Sequence, residues 1–167
     1  WDSMNRLATR TDSDGLITTY SYDAAGNPTG STTRTAATTA RSGGTLGYDS
    51  NDRIIRQVDA AGVVTTYTLN AVGNVLVKVE ASGTATARTT TYTYDKLNHV
   101  LTQSVLNVAS GTVNSTGTLT ESTVTATTSY VYDGLGNVTQ KTDATSTVAV
   151  PVISNWSFDA IGRQTQA

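Results

Sequence analysis

The sequence predicts an all-β chain: an antiparallel β-meander of hairpins, coiled into a β-spiral wall or wound tube. Three observations predict it. A short motif of aromatic residues and a turn recurs along the 167 residues. The segments between copies are built of β-formers, with 34 threonines ahead of every other residue type. Apolar content is thin, Leu, Ile, Val and Phe making 33 of 167 residues, close to the ~20% at which chains become disordered. Disorder also wants a high net charge, and here it is only −2. The expectation is an ordered Thr-rich sheet with a thin core.

The copies run in order along the chain. The two clearest are Tyr20-Ser21-Tyr22-Asp23-Ala24-Ala25-Gly26-Asn27 and Tyr130-Val131-Tyr132-Asp133-Gly134-Leu135-Gly136-Asn137. Tyr67-Thr68-Leu69-Asn70-Ala71-Val72-Gly73-Asn74, Tyr92-Thr93-Tyr94-Asp95-Lys96-Leu97-Asn98-His99 and Trp156-Ser157-Phe158-Asp159-Ala160-Ile161-Gly162-Arg163 follow the same plan. Trp1 to Arg6 and Tyr48 to Arg53 keep the second half. The Asp or Asn position therefore falls at 2, 23, 49, 70, 95, 133 and 159, with gaps of 21, 26, 21, 25, 38 and 26. Such internal periodicity marks a repeat architecture, in which each unit leans mainly on its neighbours.

Each motif position has a local reason. Two aromatics separated by one residue lie on one face of a strand, because side chains alternate with period two. The following Asp starts a turn by accepting nearby backbone N–H groups. Gly, or Asn in its place, supplies the positive φ that closes a hairpin loop. A second strand follows, as in Ile54–Val58, Val75–Val79 and Val100–Val105. It ends in a second turn such as Asp12-Ser13-Asp14-Gly15 or Asp59-Ala60-Ala61-Gly62. Residues 29–45 read as lengthened strands or a loose loop. Residues 105–128 read as an inserted hairpin or two extended strands.

Seven motifs of two strands make about fourteen strands, a ribbon ~65 Å long at ~4.8 Å per strand. Open twisted sheets rarely pass ~10 strands without curling or splitting. Coiling is therefore expected, and with it burial of the face carrying Tyr20, Tyr22, Tyr67, Tyr92, Tyr94, Tyr130, Tyr132, Trp156 and Phe158. The motif residues Asp23, Gly26, Asn27, Gly73, Asn74, Asp95, Asp133, Gly136, Asn137, Asp159 and Gly162 are expected to be structural repeat positions. No Pro-rich linker divides the chain, so residues 1–167 read as a single array of about seven repeats.

Tyr-x-Tyr-Asp-x-x-Gly-Asn at these intervals resembles the YD repeats of Rhs proteins, of insecticidal toxin complex C components, of bacterial polymorphic toxins and of teneurins. The resemblance covers nearly the whole chain. It implies a hollow shell of spiralling strands, which in toxin members encloses a C-terminal toxic domain. The self-cleaving aspartyl-protease segment of such toxins has no counterpart here: there is no Asp-Pro, and Gly43-Gly44 has no adjacent acid. The chain reads as an excerpt from the middle of a longer repeat protein.

Composition excludes several classes. A pI near 5.2 lacks the basic footprint of a nucleic-acid binder or polybasic membrane module. Without cysteine there is neither a disulfide framework nor a thiolate metal site. No apolar run approaches a membrane span. The opening residues do not read as a signal peptide.

Chemistry-bearing candidates read as structural. His99, the single histidine, occupies the place of Asn27, Asn74 and Asn137 and reads as a turn residue. Asp12-x-Asp14-Gly15 resembles part of a calcium loop without its distal Glu. The motif carboxylates recur in equivalent settings, whereas catalytic pairs need unlike ones. Lys78, Lys141, Arg10, Gln57 and Gln103 sit at one equivalent place and read as a polar ladder on a solvated face. The alternative is an anion-binding or payload-facing stripe. Three Asn-x-Ser/Thr triplets match chance in so Ser/Thr-rich a chain.

The expected function is structural, without catalysis, cofactor or metal: a shell segment of a secreted or surface-exposed bacterial Rhs/YD-repeat protein enclosing a toxin payload. The alternative is an extracellular YD-repeat fibre or adhesin contacting glycans, cells or other subunits without cargo. Expected partners are flanking YD repeats, an enclosed toxin domain or neighbouring subunits, with glycan contact through the tyrosines also open. Neither nucleic acid nor a membrane span is expected.

Overall fold

A computed structural model describes residues 1–146 and 150–166. Among these residues there are fourteen strands and no helix. Twelve of them, β1 to β12, form one antiparallel sheet in chain order, and β13 and β14 form a separate pair. The chain divides into two compact units, Trp1–Leu69 with Val79–Ala87, and Asn70–Lys78 with Arg88–Ala167.

In the first unit β1 (Thr9–Thr11), β2 (Ile17–Tyr22), β3 (Pro28–Arg34), β4 (Arg41–Tyr48), β5 (Ile54–Val58) and β6 (Val64–Leu69) pair in succession. The stretch 29–45 resolves into β3, a turn and β4, so lengthened strands are what the Thr-rich segment forms. Three glycines let these strands close up. Gly30, Gly43 and Gly44 lie where an added Cβ would stand within 2.8 Å of neighbouring atoms. Gly44 alone among them has a positive φ, +99°.

In the second unit β8 (Arg88–Tyr94), β9 (Val100–Val113), β10 (Leu119–Tyr132), β11 (Val138–Thr145) and β12 (Val152–Asn155) pair in succession, with β13 (Ser157–Phe158) against β14 (Gln164–Gln166). β7 (Val75–Glu80) carries the unit boundary within it. The long segment 105–128 is the outer part of β9 and β10, two 14-residue strands joined at Asn114–Thr118. It is thus a pair of extended strands.

Every well-defined motif hairpin carries the same irregularity. The register shifts just before Tyr22, Tyr48, Tyr94, Tyr132 and Phe158. One extra residue sits in the outgoing strand, so Tyr132 faces Val138 while Tyr130 faces Lys141. Such bulges bend a strand and add twist.

The core is thinner than a burying coil implies. Only Val124, at 6% exposure, and Thr90, at 4%, are buried side chains, and no described side chain is fully buried. The nine rings expected on the buried face are each half-buried. Backbone ladders and turn hydrogen bonds, rather than a sealed interior, are the contacts that recur at every repeat.

Candidate functional site

The repeated turn is the most elaborated feature of the molecule. The loop Asp23–Asn27 closes with Asp23 N–H donating to Asn27 O at 3.0 Å and Gly26 N–H donating to Asp23 O at 3.2 Å. That is a three-residue hairpin loop whose third residue takes positive φ. The same two bonds close loops 2–6, 49–53, 70–74, 95–99, 133–137 and 159–163. Gly26, Gly73, Gly136 and Gly162 hold the positive-φ place, and Asn5, Asp52 and Asn98 hold it in the other three. Asn and Asp are the side chains that tolerate this region best.

The motif carboxylate organises the loop with both oxygens. Asp133 Oδ1 accepts the N–H groups of Leu135 and Asn137, each at 2.9 Å, and Oδ2 accepts Asn137 Nδ2 at 2.9 Å. Asp95 and Asp159 do the same with Leu97, His99, Ile161 and Arg163. The residue four after the Asp always supplies the donor to Oδ2. It is Arg6 at 2.8 Å, Asn27 at 3.2 Å, Arg53 at 2.8 Å and Arg163 at 2.7 Å, and His99 Nδ1 lies 2.9 Å from Asp95 Oδ2. These bonds to the ionised form hold the acids below the usual carboxylate range. For Asp133 the Asn137 amide is the main cause, for Asp49 the Arg53 guanidinium, and for Asp23 the Asn27 N–H. At Asp95 desolvation is the largest influence and opposes ionisation, but the His99 N–H, the His99 ring and the Leu97 N–H together outweigh it.

A second device joins one hairpin to the one before. The tyrosine preceding the Asp donates its hydroxyl to the carbonyl just after the previous motif. Tyr22 reaches Leu7 O at 3.1 Å and Tyr48 reaches Pro28 O at 2.8 Å. Tyr94 reaches Val75 O at 2.8 Å and Tyr132 reaches Val100 O at 2.7 Å. The donor residue of the earlier turn covers the same ring: Arg6 lies 4.5 Å over Tyr22, and His99 stacks on Tyr132 at 4.7 Å. His99 is thus a turn and ring-stacking residue. Leu69 and Phe158 occupy the latch place without a hydroxyl. Tyr132→Phe keeps the stack and loses only the bond, leaving a half-buried carbonyl unserved. It is expected to cost about 1 kcal/mol in denaturant titration, with Phe158→Ala as the contrasting loss of a whole ring.

The rings Tyr20, Tyr67, Tyr92, Tyr130 and Trp156 stand two residues earlier and are half-buried. Shallow grooves of about 400 Å³ each lie against Tyr20, Leu46 and Gln57 in the first unit, and against Tyr130, Trp156 and Phe158 in the second. Of the polar ladder, Arg10, Gln57, Gln103 and Lys141 lie on this aromatic face, Arg10 and Gln57 exposed and Gln103 and Lys141 half-buried. Gln103 pairs in register with Tyr92 and with Thr128, and Thr128 with Asp143. Thr128 donates to Asp143 Oδ1 at 2.6 Å and Lys141 to Oδ2 at 2.7 Å. Lys141 in turn pairs in register with Tyr130. Gln57 pairs with Leu46 and Thr65. Arg10 faces Thr18 and bonds Asp12 at 2.7 Å. The described residues contain no group of three or more potential metal ligands, and no helix of theirs is long and apolar enough to cross a membrane.

These features define a class: a β-meander repeat protein whose hairpins are tied turn to turn and ring to carbonyl. The family model described as RHS Repeat matches residues 1–40 and 48–85, so the chain carries Rhs repeats there and resembles Rhs/YD-repeat proteins. Solved structures share the fold. The crystal structure of TcdB2-TccC3-Cdc42 matches at TM-score 0.52 and 19% identity over 96% of this chain and 10% of that one. TcdB2-TccC3 without its hypervariable C-terminal region matches at TM-score 0.52 and 18% identity over 98% and 10%. The chain therefore spans about a tenth of the solved chains it matches. No curated protein matches it.

Proposed function

We propose that the chain is a wall segment of a secreted or surface-exposed bacterial Rhs/YD-repeat protein, and that the wall encloses another polypeptide, a toxin payload. Residues 1–167 form one array of about seven repeats in this reading. The motif residues from Tyr20 to Gly162 act as structural repeat positions, and the role is mechanical, without catalysis. The observation that carries it is the repeated linkage of consecutive hairpins. Six of the seven turns are closed by their own carboxylate, and four hairpins are latched to their predecessors by a tyrosine, which suits a continuous sheet. Each motif carboxylate bound on both oxygens by its own loop is a poor acid or base. The fold shared with TcdB2-TccC3 chains supports a place in a much longer shell.

Limited proteolysis of the full-length protein with mass mapping tests the reading. A wall predicts one non-repeat segment that resists protease while the sheet is intact. That segment becomes digestible when Asp133→Ala and Asp95→Ala together open two turns. A cargo-free fibre or adhesin predicts no protected segment outside the repeats, and that result rejects enclosure.

A further inference from the structure

The motif turns are not chemically alike at their last residue. Asn27, Asn74 and Asn137 stand there in three of them, and their amides have different company. Asn137 Nδ2 donates to the acid of its own loop, Asp133, at 2.9 Å. Asn74 Nδ2 donates to a neutral oxygen, Asn98 Oδ1, at 2.7 Å. Asn27 Nδ2 lies between two carboxylates, Asp23 Oδ2 at 3.2 Å and Asp52 Oδ1 at 2.6 Å. Asn27 is also the only one of the seven last residues followed by proline, the others preceding Leu7, Ile54, Val75, Val100, Val138 and Gln164. Neither feature is needed to close the turn. Loops 70–74 and 133–137 close by the same two backbone bonds without them.

Proline blocks the usual fate of a turn asparagine. Elsewhere the next backbone nitrogen attacks the side-chain amide and expels ammonia, but Pro28 has no N–H to give up. The intramolecular reaction left open runs the other way, from the amide nitrogen to the residue's own carbonyl carbon. The surroundings of Asn27 suit that attack. Asp52 is exposed and is not a motif acid, its loop being closed by Asp49. At 2.6 Å from Nδ2 it stands within the ~2.6–3.2 Å reach of a general base. The carbonyl under attack accepts the Asp23 N–H at 3.0 Å, inside the ~2.7–3.1 Å of an oxyanion donor. An added Cβ at Gly26 would meet nothing within 4 Å, so the loop leaves the amide room to turn. On the far side of the bond, Tyr48 holds Pro28 O at 2.8 Å.

We infer that the chain cuts itself between Asn27 and Pro28. The bond from Nδ2 to the Asn27 carbonyl carbon forms, and the bond from that carbon to the Pro28 nitrogen breaks. One proton leaves Nδ2 for Asp52 and passes from there to the departing proline nitrogen. No water or other reactant is consumed. Residues 1–27 then end in a succinimide, and residues 28–167 begin with a proline amine. Later hydrolysis of the ring makes the cut permanent. The pieces stay paired through the ladder of β2 and β3, from Ile17–Arg34 to Tyr22–Pro28, so the cut is silent until the first unit opens. The step needs only this turn and the next, and goes beyond the wall reading without resting on it.

Intact mass followed over time tests it, with the protein held folded at neutral pH beside a sample unfolded in urea. Two new masses that sum to the parent's are expected, appearing about tenfold or more faster in the folded sample. Asp52→Asn should slow the cut about a hundredfold. That variant rebuilds the Asn74–Asn98 pair already present in the array, so lost folding is not the cause. Asn27→Arg should abolish the cut while recreating the Asp49–Arg53 turn. Unchanged circular dichroism confirms that each variant is folded. An uncut protein, equal rates folded and unfolded, a rate unchanged by Asp52→Asn, or a first product already carrying the added water of a protease overturns the inference. A cut with no protease-protected segment outside the repeats keeps it and rejects enclosure. An uncut protein with a protected segment does the reverse.

Discussion

Gly44→Ala is expected to be the most damaging single substitution in the first unit, costing roughly 3 kcal/mol or more. Two effects coincide there. Its φ of +99° is one that side chains with a Cβ rarely adopt, and the added atom would lie 2.5 Å from the Val58 carbonyl oxygen and 3.4 Å from Asp59 Cα. Both obstacles are backbone of β5 and its turn, so neither can rotate away. The residue is also buried, at the junction where β3, β4 and β5 approach through Gly30, Gly43 and Gly44. Relief requires β4 to part from β5, which removes the ladder from Thr45–Val58 to Tyr48–Ile54. Gly62→Ala is the matched control. It has a similar φ of +87° with nothing within 4 Å of the added atom, so strain alone acts, about 1 kcal/mol. Thermal melts followed by circular dichroism should separate the two by roughly 10 °C or more for a unit of this size. Equal melting temperatures would show that the close approach of the strands is not what Gly44 serves.

Much of this arrangement was legible before any coordinates. The aromatic pairs, the Asp-x-x-Gly turns, the hairpin order and the extended strands of 105–128 follow from period-two alternation and turn chemistry. What escaped did so for identifiable reasons. The donor four residues after each Asp is Arg6, Asn27, Arg53, His99, Asn137 or Arg163. A comparison by residue identity sees three different types grouped loosely, while a comparison by N–H donor capacity sees one position. The tyrosine latch depends on the stagger between successive hairpins, which no single motif encodes. That the polar ladder shares the face of the rings escaped because of the bulge. Counting by alternation from Val138, which faces Tyr132, puts Lys141 on the surface away from the rings. The extra residue at Thr139 reverses it, so Lys141 faces Tyr130. The same insertion after Val100 and Ile54 brings Gln103 opposite Tyr92 and Gln57 opposite Leu46. A one-residue slip moves every later side chain to the other face, and local sequence does not announce it.

Acid should dissolve the array over a narrow range, because one titration is copied at every turn. Asp2, Asp23, Asp49, Asp95, Asp133 and Asp159 all have their carboxyls held below the ordinary value of 3.8. A carboxyl that binds its proton less readily when folded than when unfolded contributes stability that is complete above the unfolded pKa and disappears as pH falls through the folded one. The melting temperature is therefore expected to be level from pH 7 to about 5 and to fall steeply below about 4. Because the acids are equivalent, their proton uptakes add, and the slope of stability against pH should correspond to several protons rather than one. Each protonation also reaches beyond its own loop. A neutral Asp95 loses its hold on His99, whose ring lies on Tyr132, the residue that latches the next hairpin to Val100. Loss at one turn thus loosens its neighbour, and unfolding sharpens. Asn70 provides the internal comparison. It accepts the N–H groups of Val72 and Asn74 at 3.1 and 2.9 Å with an uncharged amide oxygen, so its loop has no proton to gain. Replacing Asp133 and Asp159 by Asn should lower the melting temperature at pH 7 yet flatten its fall below pH 4. A slope unchanged by the two substitutions would mean that acid acts elsewhere than on the repeated turns.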